Sequence, residues 1–233
     1  MILQRLVPAG TALDTDDAGI REDLAAHYRR DGGRWVRMNF VVSLDGAAAA
    51  EGGSDALSSP TDRLILGVLR RQADVILVGA GSVRVEGYRR PRTAALAIVT
   101  ASGDLTGHRL ETGQGVHVFC PEEHASHVLA QLPEARIHPF SSSRALVNEV
   151  LSVLRSLGYD RVVCEGGPQL AAQLAAADAV DEWCLTTTPM MIGGELRLLP
   201  SGVPPRRLRL RGLLLDAEGF TYARWEPDRS TTG

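Results

Sequence analysis

The chain has 233 residues, of which 44% are hydrophobic and 23% charged, with 24 glycines and 12 prolines. A chain of this length can bury roughly 70% of its unfolded surface, and the composition excludes disordered, collagen-like and coiled-coil chains. The net charge is -3 and the basic residues are spread along the sequence, which excludes the long-range positive field of a nucleic-acid or anionic-membrane binder.

In chain order, residues 1–30 read as peripheral, and their short apolar start runs into acids too soon for a signal peptide. Residues 35–44 (WVRMNFVVSL) form a β-rich run ending in an Asp45-Gly46 turn. Residues 60–72 have helical periodicity and a Ser58-Ser59-Pro60 start. Residues 73–78 (ADVILV) make a continuous apolar run of the buried-strand type, closed by Gly79. Further strands are predicted at 94–100, 116–120, 161–165 and 182–188, and helices at 121–132, 143–157 and 169–176. Strand and helix alternate at short intervals, which predicts an α/β fold with a mostly parallel sheet covered on both faces. Residues 208–215 and 220–225, joined by 216–219, read as an antiparallel hairpin added at the end of that sheet. Residues 227–233 read as a frayed tail, and the whole chain reads as a single domain.

All 25 basic residues are arginine. Without lysine, Schiff-base and P-loop chemistry is excluded, and bidentate arginine contacts become the default for phosphate. Cys120, Cys164 and Cys184 are isolated in apolar runs and read as free thiols, which with the absence of a leader predicts a cytoplasmic protein. Cys120, His124 and His127 lack a fourth ligand and a carboxylate shell, so no metal centre is predicted. No G-x-S-x-G nucleophile turn occurs.

Sites in open α/β sheets collect at the carboxyl ends of strands, which singles out three places. In the first, Asn39 and Ser43 interrupt an apolar strand; they are either satisfied core and turn groups or part of a cleft wall. The second is Gly79-Ala80-Gly81-Ser82 after ADVILV. It is either a tight turn or a phosphate cradle, and it departs from the dinucleotide fingerprint because Arg84 holds the third glycine position. The third is Glu165-Gly166-Gly167-Pro168-Gln169-Leu170, whose bare amides suit a pyrophosphate while Glu165 repels one, so Glu165 is expected to face a second ligand. Two glycine-rich strand ends in one sheet fit one extended ligand better than two unrelated turns.

Taken together, Ser43-Leu44-Asp45-Gly46, residues 69–83 (LRRQADVILVGAGSV), Glu165-Gly166-Gly167-Pro168, Val180-Asp181-Glu182 and residues 189–194 resemble the reductase domain of riboflavin biosynthesis. The resemblance covers about residues 35–225 and implies a dihydrofolate-reductase-like fold. It also implies NADPH-dependent reduction of a ribosylaminopyrimidinone 5′-phosphate at the sugar C1′ of its ring-opened form. By position, it places the backbone near Val41, with Ser82, Glu86, Gly166, Gly167, Pro168, Gln169 and Leu170 and the chain on to Gln173, against the cofactor, and the glycine-turn reading adds Gly79 and Gly81. The substrate-binding candidates are Ser54, Arg70 and Glu165 by the same resemblance, with Asn39 and Ser43 from the cleft reading. No catalytic residue is assigned.

The sequence departs from the family at Asn39, Ala56, Glu86 and Gly87-Tyr88, where the family often has lysine, an aromatic, aspartate, and Asn or Asp followed by Pro. These departures leave a different pyrimidine or pterin, such as dihydrofolate, or a non-catalytic NADP-binding module, as alternatives. Nothing like the H-x-E and P-C-x-x-C deaminase signature of bifunctional relatives occurs in these 233 residues, which implies a stand-alone reductase. The expected partners are a small-molecule substrate and a second copy of the chain. The homodimer is expected from the resemblance and from the apolar hairpin, which would otherwise leave an exposed sheet edge.

Overall fold

A computed structural model of the chain describes residues 1–48, 53–140, 146–193, 196–200 and 202–229. Eleven strands form one sheet: β1 (Ile2–Val7), β2 (Ala9–Asp14), β3 (Trp35–Ser43), β4 (Val75–Gly79), β5 (Ala95–Val99), β6 (Val116–Pro121), β7 (Arg136–Phe140), β8 (Arg161–Cys164), β9 (Glu182–Thr188), β10 (Leu208–Asp216) and β11 (Thr221–Pro227). Six helices cover it: α1 (Ile20–His27), α2 (Pro60–Gln72), α3 (Ala80–Val85), α4 (Ala125–Gln131), α5 (Leu146–Ser156) and α6 (Pro168–Ala176). The strand order is β2-β1-β10-β11-β9-β3-β8-β4-β5-β6-β7, parallel from β9 to β7 and antiparallel from β9 back to β2.

The alternation of β4 builds the layers. Val75 and Leu77 enter a core beneath α5 and α6, while Ile76 and Val78 enter another with Val83 of α3 and Val128 of α4. All four are fully buried, each contributing about 1.5–3 kcal/mol of apolar burial, so the run is hydrophobic on both faces. Helix α2 occupies the span its sequence predicts. Ser59 caps it by accepting a bond from the Asp62 amide at 3.0 Å, Pro60 fits the first turn, and Ile65, Val68 and Leu69 form its buried face.

Residues 1–30 are not peripheral. Strand β1 pairs with β10, and Leu3, Leu24 and Tyr28 are buried in a third core with α2, β9, β10 and β11. Their apolar residues are separated by charged ones and acquire a common face only once β10 and α2 are present. For the same reason the hairpin β10–β11 is not a sheet edge: β1 and β2 cover β10, and β9 covers β11. The expected helix at 121–132 begins as a 3-10 turn over Glu122–His124 and becomes α4 only from Ala125. Strand β7 and the short α3 have no counterpart among the predicted elements. Positions 143–145 of the predicted 143–157 helix lie outside the described residues, as do residue 194 and residues 230–233. Within the tail, Pro227 closes β11, and Arg229 donates to Asp181 at 3.0 Å.

A buried charge cluster ties the N-terminal segment to the sheet. Glu182 accepts from Arg37 and, at 2.8 and 2.6 Å, from Arg224, while the same arginines donate to the carbonyls of Tyr28, His27 and Arg29. No helix among the described residues is long and apolar enough to cross a membrane.

Candidate active site

The carboxyl ends of β3, β4, β5 and β8 open on one cleft of about 720 Å³. Of the residues singled out in the sequence, Asn39, Val41, Ser54, Arg70, Gly79, Gly81, Ser82, Glu86, Glu165 and the run from Gly166 to Leu170 all line it; Gln173 does too. Asn39 makes no side-chain hydrogen bond among the described residues, which leaves its amide available to a ligand.

Ser43 does not line the cleft. It is buried, donates to Asp45 at 2.5 Å and accepts from the Ala47 amide at 2.9 Å. The Asp45 carboxylate in turn accepts from the amides of Ile192 and Gly193 at 3.2 and 2.8 Å. The Ser43 bond, followed by the Gly193 and Ile192 amides, holds its pKa down to about 2. Ser43 therefore shapes the turn after β3 and anchors the segment after Pro189, because it is the last residue of the strand and its hydroxyl is taken up by Asp45 and the Ala47 amide.

The two glycine turns meet. The Gly79 amide donates to the Gly166 carbonyl at 2.7 Å, joining the end of β4 to the end of β8. A Cβ on Gly79 would stand 3.3 Å from the Gly167 amide nitrogen, and one on Gly167 would stand 3.3 Å from Ser82 Oγ. Gly166 has φ +124, a backbone conformation that side-chain-bearing residues avoid. The first turn of α6 begins at Gly167 with no side-chain cap, so its amides are open to the cleft. The backbone at this junction has room for hydrogen where other residues would place a methyl group.

Directly before this junction, the end of β8 and helix α2 bring Glu165 and Arg70 together. Arg70 Nε donates to Glu165 Oε1 at 2.8 Å and Nη2 donates to Oε2 at 2.6 Å. The Arg70 fork, the edge an arginine offers to a phosphate, is thus engaged within the protein, leaving its Nη1 hydrogens. Burial works against the Arg70 charge, but Glu165 outweighs it and raises the pKa above the ordinary arginine value. Tyr88, which sequence reasoning noted only as a departure, donates to Glu165 Oε2 and accepts from Arg70 Nη2 at 3.0 Å. The local signal for its placement was Gly87, whose φ of +57 turns the chain after α3.

Ser54 donates to Glu86 Oε1 at 2.9 Å at the exposed rim. Desolvation of the Glu86 carboxyl raises its pKa, the Ser54 bond opposes the rise, and the charges of Asp55 and Glu165 add to it. Asp62 and Arg63 from α2 and Thr100, Ala101 and Ser102 after β5 also line the cleft, although no motif marked them.

Residues 34–222 match the family described as the RibD C-terminal domain. The riboflavin biosynthesis protein RibD of Mycobacterium tuberculosis is 33% identical over 174 residues, covering 73% of this chain and 46% of that protein. The chain thus spans about half the length of that relative. The 2,5-diamino-6-ribosylamino-4(3H)-pyrimidinone 5′-phosphate reductase of Methanothermobacter thermautotrophicus is 26% identical over 187 residues, covering 72% of this chain and 84% of the relative. Among solved structures, a pyrimidine reductase-like protein from Corynebacterium diphtheriae superposes with a TM-score of 0.72 at 22% identity, covering 84% of this chain and 92% of that one. The dihydrofolate reductase of Enterococcus faecalis, complexed with NADP(H), superposes with a TM-score of 0.50 at 12% identity, covering 83% and 96%. The fold is dihydrofolate-reductase-like, and the chain belongs to the RibD C-terminal domain family.

Proposed function

We propose that the protein is an NADPH-dependent reductase of the riboflavin pathway, acting on a ribosylaminopyrimidinone 5′-phosphate. The observation that carries this reading is one cleft lined by two chemically different features: glycine turns that leave backbone amides bare, and a part-buried Arg70–Glu165 pair. The named activity of the archaeal relative supports the reaction class.

The residues fit the cofactor, because Gly79, Gly166 and Gly167 make a bare backbone cradle: a Cβ would crowd Gly79 and Gly167, and the φ of +124 at Gly166 disfavours any side chain. When bound, NADPH would supply the hydride. Val41, Gly79, Gly81, Ser82 and Glu86 would hold it with Gly166, Gly167, Pro168, Gln169 and Leu170, the open amides of α6 receiving pyrophosphate oxygens. Asn39, Ser54, Arg70 and Glu165 would bind the substrate, Glu165 accepting from a ring N–H and Arg70 Nη1 donating to an oxygen. Their task is alignment: the ring-opened sugar carries a C1′=N bond, and reduction adds hydride at C1′ and a proton at nitrogen, leaving a ribityl chain. Neither step requires a covalent intermediate with the protein or a metal ion.

Arg84 lines the cleft beside Ser82 and supports a preference for NADPH over NADH. Fluorescence titration with both cofactors, followed by NADPH oxidation at 340 nm with the pyrimidine phosphate, tests the reading. Failure to bind either cofactor ends it, and cofactor binding without turnover would favour a non-catalytic module.

A homodimer and a cytoplasmic location belong to the same proposal. The dimer is supported by Leu44, Met190, Met191 and Leu196, large apolar side chains left exposed around the turn after β3. Sedimentation at twice the monomer mass is the expected result. The buried free thiols of Cys120, Cys164 and Cys184 fit a reducing compartment.

A further inference from the structure

We propose that Tyr88 is a positioning residue: it locks the Arg70–Glu165 pair in one orientation, so that Arg70 presents its Nη1 edge to the substrate. The inference rests on the reductase reading above and gives a role to a residue that this reading leaves unassigned.

Hydrogen-bond inventory carries the argument. A phenol has one proton, which Tyr88 gives to Glu165 Oε2, and its oxygen accepts from Arg70 Nη2 at 3.0 Å. Arg70 has five N–H groups. Nε and both hydrogens of Nη2 are held by Glu165 and Tyr88, and Nη1 has no protein partner among the described residues. The Tyr88 ring centroid lies 5.2 Å from Arg70 Cζ, so the ring also supports the guanidinium.

The hydroxyl is held in its protonated form, because burial, followed by the Glu165 charge, pushes its pKa well above the ordinary tyrosine value. Its location is built in by the backbone. Gly87 adopts φ +57 directly after α3, and a Cβ there would come within 3.0 Å of the Arg109 side chain. Tyr88 is 6% exposed and borders the cleft beside the pair, so its hydroxyl is committed to Arg70 and Glu165. Without it, Glu165 alone holds the guanidinium, and the freedom that the arginine regains must be given up each time substrate binds.

Steady-state kinetics and NADPH titration on the wild type, Tyr88→Phe, Arg70→Met and the double variant test the assignment. Tyr88→Phe keeps the ring and removes both hydrogen bonds. It should raise the substrate KM on the order of 10-fold, with kcat within about twofold and NADPH affinity unchanged. Arg70→Met should raise KM on the order of 100-fold, and adding Tyr88→Phe should change it by no more than about twofold, because the group Tyr88 positions is gone. A wild-type KM in Tyr88→Phe overturns the assignment. So does an equal further loss in the Arg70→Met background, which would mean that Tyr88 acts independently, and so does lost NADPH binding in Tyr88→Phe, which would mean general support of the cleft. A wild type that does not oxidise NADPH with any pyrimidine phosphate fails before a variant is compared, and overturns the reductase reading itself together with the role that rests on it.

Discussion

Arg70 and Glu165, 95 residues apart in sequence, form a two-pronged ion pair in which the carboxylate side chain is 6% exposed and the guanidinium 28%. Glu165 therefore depends on Arg70 for its charge partner. Arg70→Ala strands a buried carboxylate and should destabilise the protein by about 3 kcal/mol, besides lowering kcat/KM for the pyrimidine phosphate on the order of 30-fold to 1000-fold. Glu165→Gln should also weaken substrate binding, and both variants should hold NADPH affinity within about twofold. Urea unfolding and cofactor titration check this. Unchanged stability in Arg70→Ala would show that the pair is not closed in solution, and equal losses for substrate and NADPH would refute the proposed division of the cleft between the two ligands.

The glycine junction should be intolerant of a methyl group. Gly167→Ala sets a Cβ 3.3 Å from Ser82 Oγ, and Gly79→Ala sets one 3.3 Å from the Gly167 amide nitrogen. Each should weaken NADPH binding on the order of 10-fold, more for Gly79 because backbone rather than a hydroxyl must yield. Ser82→Ala should cost about 1 kcal/mol of cofactor affinity if its hydroxyl is a ligand. Fluorescence titration reads all three, and wild-type affinity in Gly79→Ala would move the cofactor away from this junction.

The Arg37–Glu182–Arg224 cluster should be sensitive to loss of its centre. Arg37 and Glu182 have no exposed side-chain surface, and Glu182 is the shared acceptor for both guanidinium groups. Glu182→Gln leaves two buried cations facing a neutral amide and should cost about 3–5 kcal/mol. Because these arginines hold the carbonyls of Tyr28, His27 and Arg29, hydrogen exchange should rise first in the N-terminal segment. Uniform exchange across the sheet would contradict that order.

Stability should fall with acid in a window set by two histidines. Burial, and then the Arg224 and Arg5 charges, lowers His27 from 6.5 to about 4; burial, and then His138 and Arg136, does the same for His117. His27 Nε2 is buried without a hydrogen-bond partner among the described residues, while His117 contacts His138 at 2.9 Å and the Tyr159 hydroxyl at 3.2 Å. A folded pKa below the unfolded one means that the unfolded chain takes up the protons first as pH drops. The stabilisation is present above about 6.5 and is lost progressively down to about 4. Urea midpoints across this window should slope less in a His27→Gln/His117→Gln variant than in the wild type, and parallel slopes would rule these histidines out.

Much of the architecture was legible because its signals are local. The apolar run before Gly79, the capped periodic stretch from Pro60 to Gln72 and the glycines after β4 and β8 each sit within a few residues of what they specify. Those signals identified the strands and helices around the cleft, and the family motifs identified nearly all of its lining. Tertiary structure alone decided which groups meet. The pairing of Arg70 with Glu165 and Tyr88 depends on α2, β8 and the turn after α3 converging, and no window of sequence contains that convergence. Ser43 was misread because it shares a strand face with Asn39 and Val41, but as the last residue of β3 it is turned into the hydrogen bonds with Asp45 and Ala47, which the alternation does not reveal. The N-terminal strands were missed, and the hairpin was taken for an edge, because a strand with mixed polarity gains a buried side only from its neighbours, here β10 for β1 and α2 for Leu3 and Leu24.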